Sequence, residues 1–317
     1  MPKSIKPIQL KHLKTHSLNE RQSKVSAADF AKTWPKGAAF KVFLDSLPNI
    51  LAGHEIRSAI RAIAAAYQQH KPVVFGIGAH VIKVGLNPVM IDLMERGVIS
   101  GVALNGAGII HDVELALQGK TSEDVDSALG NGSFGMAHET SSILNEAIRD
   151  TCESSTGLGE AIGKFITARK LPFLPLSILA AGYRLGIPCT VHIALGTDII
   201  HMHPEFDAAA SGSASHRDFR IFAAMVAELE GGVYANVGSA VILPEVFLKA
   251  VTLVRNLGHP LQNFTTLNLD FIRQYRPITN VVTRPTAKGG RGFNLTGHHE
   301  IMLPLIAAGI IEEIDDQ

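Results

Sequence analysis

The chain has 317 residues, of which 46% are hydrophobic, and its 29 Lys/Arg balance 29 Asp/Glu. That balance excludes the broad cationic surface that a nucleic-acid partner or an anionic membrane would require. The length suits one large α/β domain or two small ones, and two cysteines, Cys152 and Cys189, are too few for a disulfide framework. The setting this implies is a reducing, cytoplasmic one. No apolar stretch follows the charged N-terminus as a secretory signal would need, and runs such as IMLPLIAAGII are too short to span a bilayer.

Residues 1–37 read as an irregular, polar, basic arm. Within 1–36 lie Lys3, Lys6, Lys11, Lys14, Arg21, Lys24, Lys32 and Lys36 against Glu20 and Asp29. Residues 38–317 read as a single α/β domain. Helices are expected at 38–47 and 52–70, where Ile56, Ile60, Ile63 and Ala64 repeat with a helical period. A buried strand follows at 72–78, a helix at 88–96 and a strand at 98–105. Helices are then expected near 108–118, 121–129, 136–150, 158–169 and 175–186. The third strand is 187–195, followed by a loop over 196–214 and a helix over 218–230. Strand 233–238, helix 244–256, strands 263–270 and 278–284, a Gly-rich loop and a helix over 297–309 complete the chain. Strands that alternate with helices in this way predict a Rossmann-like, doubly wound parallel sheet with helices on both faces.

Three strand-to-helix corners are nearly bare of side chains: Gly76-Ile77-Gly78-Ala79, Asn105-Gly106-Ala107-Gly108 and Gly238-Ser239-Ala240. In an open α/β sheet, ligands sit beyond the carboxyl ends of the strands. Helix-start amides favour an anion there, and small residues let phosphate oxygens approach them. Together the corners predict a nucleotide cleft, although none matches Gly-x-Gly-x-x-Gly or a phosphate loop ending in Gly-Lys-Ser/Thr. Lys288 and Arg291, in TAKGGRG, could add a cationic clamp.

Histidines cluster after the third strand. DIIHMHPEF supplies His201, His203 and Glu205 just beyond Asp198, and TGHHEI supplies His298, His299 and Glu300. Either group could bind a metal, but a polar His/Asp loop more often lines a cleft and handles protons. Asp198 with one of His201, His203 and His216 is the candidate acid/base set. His111-Asp112 and His138-Glu139 are further His–carboxylate neighbours, and Glu114 and Glu139 could bond a ribose. No Gly-x-Ser-x-Gly elbow occurs, and neither cysteine has activating neighbours.

Taken in order over roughly residues 50–270, these segments resemble the deoxyhypusine synthase family. VVFGIGAHVIKVG resembles its strand, Gly and Ser-Asn-Leu segment, and GVISGVALNGAGIIHDVELAL its Thr-Ala-Gly-Gly turn with the acidic residues that follow. GIPCTVHIALGTD, VYANVGSAVILP and NFTTLNLD resemble its later strands and Gly-rich segment. The resemblance implies NAD as cofactor and a homotetramer. It places Ala79 and His80 on the pair lining NAD, and Asn105, Gly106 and Ala107 on the phosphate turn. It places Asp112 near the ribose acid, Asp198 on the substrate aspartate, and Asn263 at an aspartate position. Leu243 stands where the family has its imine-forming lysine, so aminobutyl transfer by that route is excluded. Lys249 is a poor substitute for it, and Lys83 a freer one. The expectation is an NAD-binding protein that acts on a small amine or alcohol without a lysine–imine step. The alternatives are a metal-dependent hydrolase or lyase on the His/Glu groups, or a nucleotide-binding protein without catalysis.

Overall fold

The structure is a computed structural model that describes residues 4–154 and 156–314, so Lys3 and the last three residues lie outside it. Among the described residues, β1 (Val73–Ile77), β2 (Gly101–Asn105), β3 (Cys189–His192), β4 (Val233–Val237), β5 (Thr265–Asp270) and β6 (Arg291–Thr296) form one sheet. Its order is β3-β2-β1-β4-β5-β6 and every pairing is parallel. The fold is thus Rossmann-like, and the strand order turns back between β1 and β4, the switch point of such sheets.

The helices in chain order are α1 (Phe40–Ser46), α2 (Leu51–Gln68), α3 (Ala79–Lys83), α4 (Asn87–Glu95), α5 (Gly106–Gln118), α6 (Val125–Leu129) and α7 (His138–Ser154). They continue with α8 (Leu158–Arg169), α9 (Ile178–Leu185), α10 (Ala208–Ala227), α11 (Ile242–Asn256), α12 (Tyr275–Pro277) and α13 (His299–Glu313). Alternate strand residues face opposite ways, and the core divides accordingly. Val73, Phe75, Ile77, Val102 and Leu104 pack with α2, α4, α5 and α13, while Val74, Ala103 and Tyr234 pack with α10 and α11. Leu243 is fully buried on this second face. Among the described residues, no helix is long and apolar enough to cross a membrane.

Residues 4–28 of the basic arm are exposed throughout. Its last part is tied down where the Lys32 amide donates to Ser46 O (2.8 Å) and the Asn49 amide to Asp29 O (2.9 Å).

Three expected elements are corrected. Ile278–Thr283 is a π-helical turn and not a strand. Its β-branched residues suggest extension, but Asn280 donates to Glu245 of α11 (2.8 Å), and the Thr283 hydroxyl bonds back to Ile278 O (2.8 Å). Tertiary packing overrides the propensity. The sixth strand instead begins at Arg291, inside the stretch expected to be a Gly-rich loop. A Cβ on Gly292 would meet Val282 O at 2.2 Å, so glycine lets this edge strand press against the π-helical turn. The expected loop 196–214 is shorter than predicted, because α10 starts at Ala208, capped by the Asp207 side chain on the Ala210 amide (2.8 Å).

Two buried carboxylates tie elements together, the first helix to helix and the second helix to sheet. Asp112 (α5) accepts from the Ser177 hydroxyl (2.5 Å) and the amides of Ile178 (2.8 Å) and Leu179 (3.3 Å), capping α9. Asp218 (α10) accepts from the amides of Val191 (2.8 Å) and Gly159 (3.1 Å). Burial pushes the Asp218 carboxyl up from 3.8 to about 7 against these hydrogen bonds. A raised folded-state value gives stability that is full below the unfolded value and lost as pH rises through the folded one. Asp218→Asn cannot ionise, so its stability relative to the wild type should improve by roughly 2 kcal/mol between pH 5 and pH 8. Urea unfolding at both pH values measures this, and an offset that does not change with pH would refute the buried-charge reading.

Candidate functional site

The three bare corners follow β1, β2 and β4, adjacent strands of a parallel sheet, so they share one rim. The space beside them is unequally filled. A Cβ on Gly78 would meet Gly238 O at 2.0 Å, so these two corners lie against each other at the switch point. Gly238 takes a left-handed φ of 69° and faces the His299 ring. Gly76 packs in the core against the Tyr234 hydroxyl, where a Cβ would lie 2.4 Å away. Ser239 accepts the Leu243 amide at the start of α11 (3.2 Å).

The β2–α5 corner has room beside it. Asn105 caps its own helix by accepting the Gly108 amide (3.2 Å). A Cβ on Gly106 would meet Asp198 Oδ2 at 2.0 Å, which explains the glycine. Ala107 then opens onto a cleft of about 540 Å³ lined also by Lys83, His111, Glu114, Thr121, Thr140 and Asp198. That volume lies in the range of small-molecule sites. The outer wall comes from the 119–137 segment, which supplies Lys120, Thr121, Ser122, Glu123, Val125, Phe134 and Ala137.

Asp198 lines this cleft, and His201 lies buried behind it. His201 Nδ1 accepts the amides of Gly196 (3.0 Å) and Asp198 (3.3 Å), so the neutral ring carries its proton on Nε2. Nε2 lies 4.0 Å from Asp198 Oδ2, and both atoms are buried without a hydrogen-bond partner. Burial raises the Asp198 carboxyl above its usual range, with His201 opposing. A carboxyl with an unused oxygen on a cleft wall can bind a polar group of a molecule there, and the imidazole behind it acts through that carboxyl.

The other predicted site residues divide by position. His203 Nε2 bonds Gly135 O (2.8 Å), which ties the 119–137 segment down. His216 is exposed on α10 and does not line the cleft. Asp112 is fully buried, and both its oxygens are taken up in capping α9. Asn263 precedes β5 at the opposite rim and donates to Glu230 (2.9 Å). Lys288 and Arg291 precede or begin β6 at that same opposite rim, so the expected clamp does not reach the corners. Ala79 is half-buried and His80 exposed at the start of α3.

His80 belongs to an aromatic group at the carboxyl end of β5. Its ring lies 5.9 Å from Phe271 and 5.5 Å from His299, and Phe271 lies parallel to His298 at 6.5 Å. His299 is buried 3.8 Å from Asp270, and burial holds its imidazole below the usual value. The metal-centre alternative finds no support in this geometry. Among the described residues no three His, Cys, Asp or Glu side chains are placed to hold an ion, and His203 and Glu205 do not converge with His201.

Sequence reasoning missed the cleft's hydroxyl lining. Thr121 donates to Glu114 Oε2 (2.6 Å) and meets His111 Nδ1 (2.6 Å), and Thr140 donates to Glu114 Oε1 (3.1 Å). The signal available was His111 and Glu114 three residues apart on one helix, hence on one face.

No family model matches the chain, and no curated protein matches it by sequence. Solved structures do share its fold. A conserved protein assigned to the LOR/SDH group from Methanococcus maripaludis S2 is 13% identical, with a TM-score of 0.52 over 90% of this chain and 73% of its own. AgrE in ternary complex with ornithine and NAD+ is 11% identical, with a TM-score of 0.54 over 81% of this chain. This chain spans only about a third of AgrE, 32% of its length. A protein assigned as a deoxyhypusine synthase from Entamoeba histolytica is 13% identical, with a TM-score of 0.50 over 88% of this chain and 95% of its own. At such identities the likeness is one of fold: a Rossmann-like parallel sheet similar to those of deoxyhypusine-synthase-like and NAD-related proteins.

Proposed function

We propose that this chain binds NAD along the carboxyl rim of β2, β1 and β4 and acts on a small amine or alcohol in the adjoining cleft. The observation that carries the reading is the shared rim. Three side-chain-poor corners follow three neighbouring strands, two of which flank the switch point. The fold likeness to AgrE, whose structure holds NAD+, supports the cofactor class.

The residues fit such a ligand on one side of the rim. Asp198 fills the Gly106 face, so a diphosphate would lie toward Ala107, with Lys83 as its cation and the first amides of α5 as donors. The exposed rings of His80, Phe271 and His298 offer flat faces for a base at the other end. Strand spacing puts the β2 and β5 ends about 14 Å apart, a span suited to an extended dinucleotide. NAD, when bound, accepts a hydride. Asp198 would orient the substrate from the cleft wall, with His201 buried behind it. With Leu243 buried in the core, no amine nucleophile stands at the position where the family resemblance expects one.

The test is turnover. Purified chain with NAD is screened over small amines and alcohols by the near-ultraviolet absorbance of reduced nicotinamide. Reduction is expected with at least one substrate, and Asp198→Asn should lower it about a hundredfold. Saturable NAD binding without turnover across the panel would favour a non-catalytic nucleotide-binding role.

A further inference from the structure

We propose that His111 is the proton-accepting group of the cleft, held by a Glu114–Thr121 relay so that its Nε2 faces the bound molecule. The proposal takes the cleft of the proposed function as the place of reaction, but it rests on hydrogen bonds within this chain.

The relay has a fixed direction. A carboxylate only accepts, so the single Thr121 hydroxyl proton goes to Glu114 Oε2 (2.6 Å). The Thr121 oxygen must then accept from His111 Nδ1 (2.6 Å). Nδ1 therefore carries the ring proton, and Nε2 keeps its lone pair. Thr140 binds the other Glu114 oxygen (3.1 Å) and fixes the carboxylate. No described residue partners Nε2, and His111 is part of the cleft wall.

The charged groups around this ring come from several elements. Lys83 lies at the end of α3, Glu114 on the same helix as His111, Lys120 and Glu123 on the outer wall, and Asp198 across the cleft. Burial first, and then Lys83, hold the His111 imidazole down to about 4, so the ring is neutral at pH 7. A small hydroxyl- or ammonium-bearing molecule supplies the proton. Its O–H or N–H bond breaks, the electron pair stays on the substrate, and an Nε2–H bond forms. Glu114, reached through Thr121, offsets the charge of the resulting imidazolium. The step needs no oxidant of its own.

The test uses the full chain without nucleotide, so its outcome is separate from that of the NAD reading. Diethyl pyrocarbonate acylates a histidine only in its neutral form, and peptide mapping reads the rate at His111 against N-acetylhistidine as an internal standard. The standard, with a value near 6.5, should speed up about tenfold between pH 5.5 and pH 7.5, while His111 should change less than twofold. Nitrogen-15 NMR of the ring should show the Nδ1–H tautomer, and Thr121→Val should move it toward Nε2–H. A His111 rate that rises in parallel with the standard, absent modification, or an Nε2–H ring in the wild type would overturn the proposal.

Discussion

Gly78→Ala is expected to cost about 3 kcal/mol of stability, at the upper end of overpacking losses. The new Cβ would stand 2.0 Å from Gly238 O and 2.6 Å from its carbonyl carbon. These are backbone atoms. The Gly78 amide already donates to Val237 O (2.8 Å) and the Gly238 amide to Leu269 O (2.9 Å), so neither corner can move without breaking the seam of β1, β4 and β5. The control is Gly212→Ala in α10, where nothing lies within 4 Å and φ is not positive. That change should stabilise the chain by about 0.5–1 kcal/mol through helix propensity. Urea unfolding compares the two, and equal effects would show that the β1 and β4 corners are not pressed together.

Gly106→Ala has a smaller expected cost, about 1–2 kcal/mol, but a larger effect on the site. The atom it meets at 2.0 Å is Asp198 Oδ2, the end of a side chain that can turn aside. Turning aside separates Asp198 from His201 and pushes the carboxylate into the cleft that Ala107 opens onto. NAD binding and turnover should both fall by more than tenfold. The mechanism is checked by a double-mutant cycle with Asp198→Ala, which removes the obstruction and should recover most of the lost stability. Additive losses would mean that the clash is not with Asp198.

Much of the fold is legible in the sequence because parallel strands buried on both faces read as short, mostly apolar runs that end at a glycine. Val73–Ile77 and Val233–Val237 are examples, and each is buried at every residue. The sixth strand was not legible, since Arg291–Thr296 is a half-exposed edge strand inside a glycine-rich stretch. The competing run Ile278–Thr283 has strand-like composition, and its contacts with α11 and β6 hold it helical. At the site, the corners and Asp198 were visible as local patterns. Their packing was not, because it depends on pairs distant in sequence: Gly78 with Gly238, Gly106 with Asp198, Asp112 with Ser177. A bare glycine marks a close approach in the sequence, but only the fold says whether ligand or protein makes it. Thr121 escaped notice because the stretch around it read as a helix, whereas α6 starts only at Val125.

The central claim, that the carboxyl rim of β2, β1 and β4 seats a dinucleotide, is tested most directly by a titration of the full chain with NAD, followed by calorimetry and thermal unfolding. One saturable site per chain is expected, with stabilisation of about 2.7 kcal/mol at a hundredfold excess over Kd and at least tenfold weaker binding by Lys83→Met. A folded chain that gives neither heat nor a melting shift with millimolar NAD, NADH or NADP would contradict it.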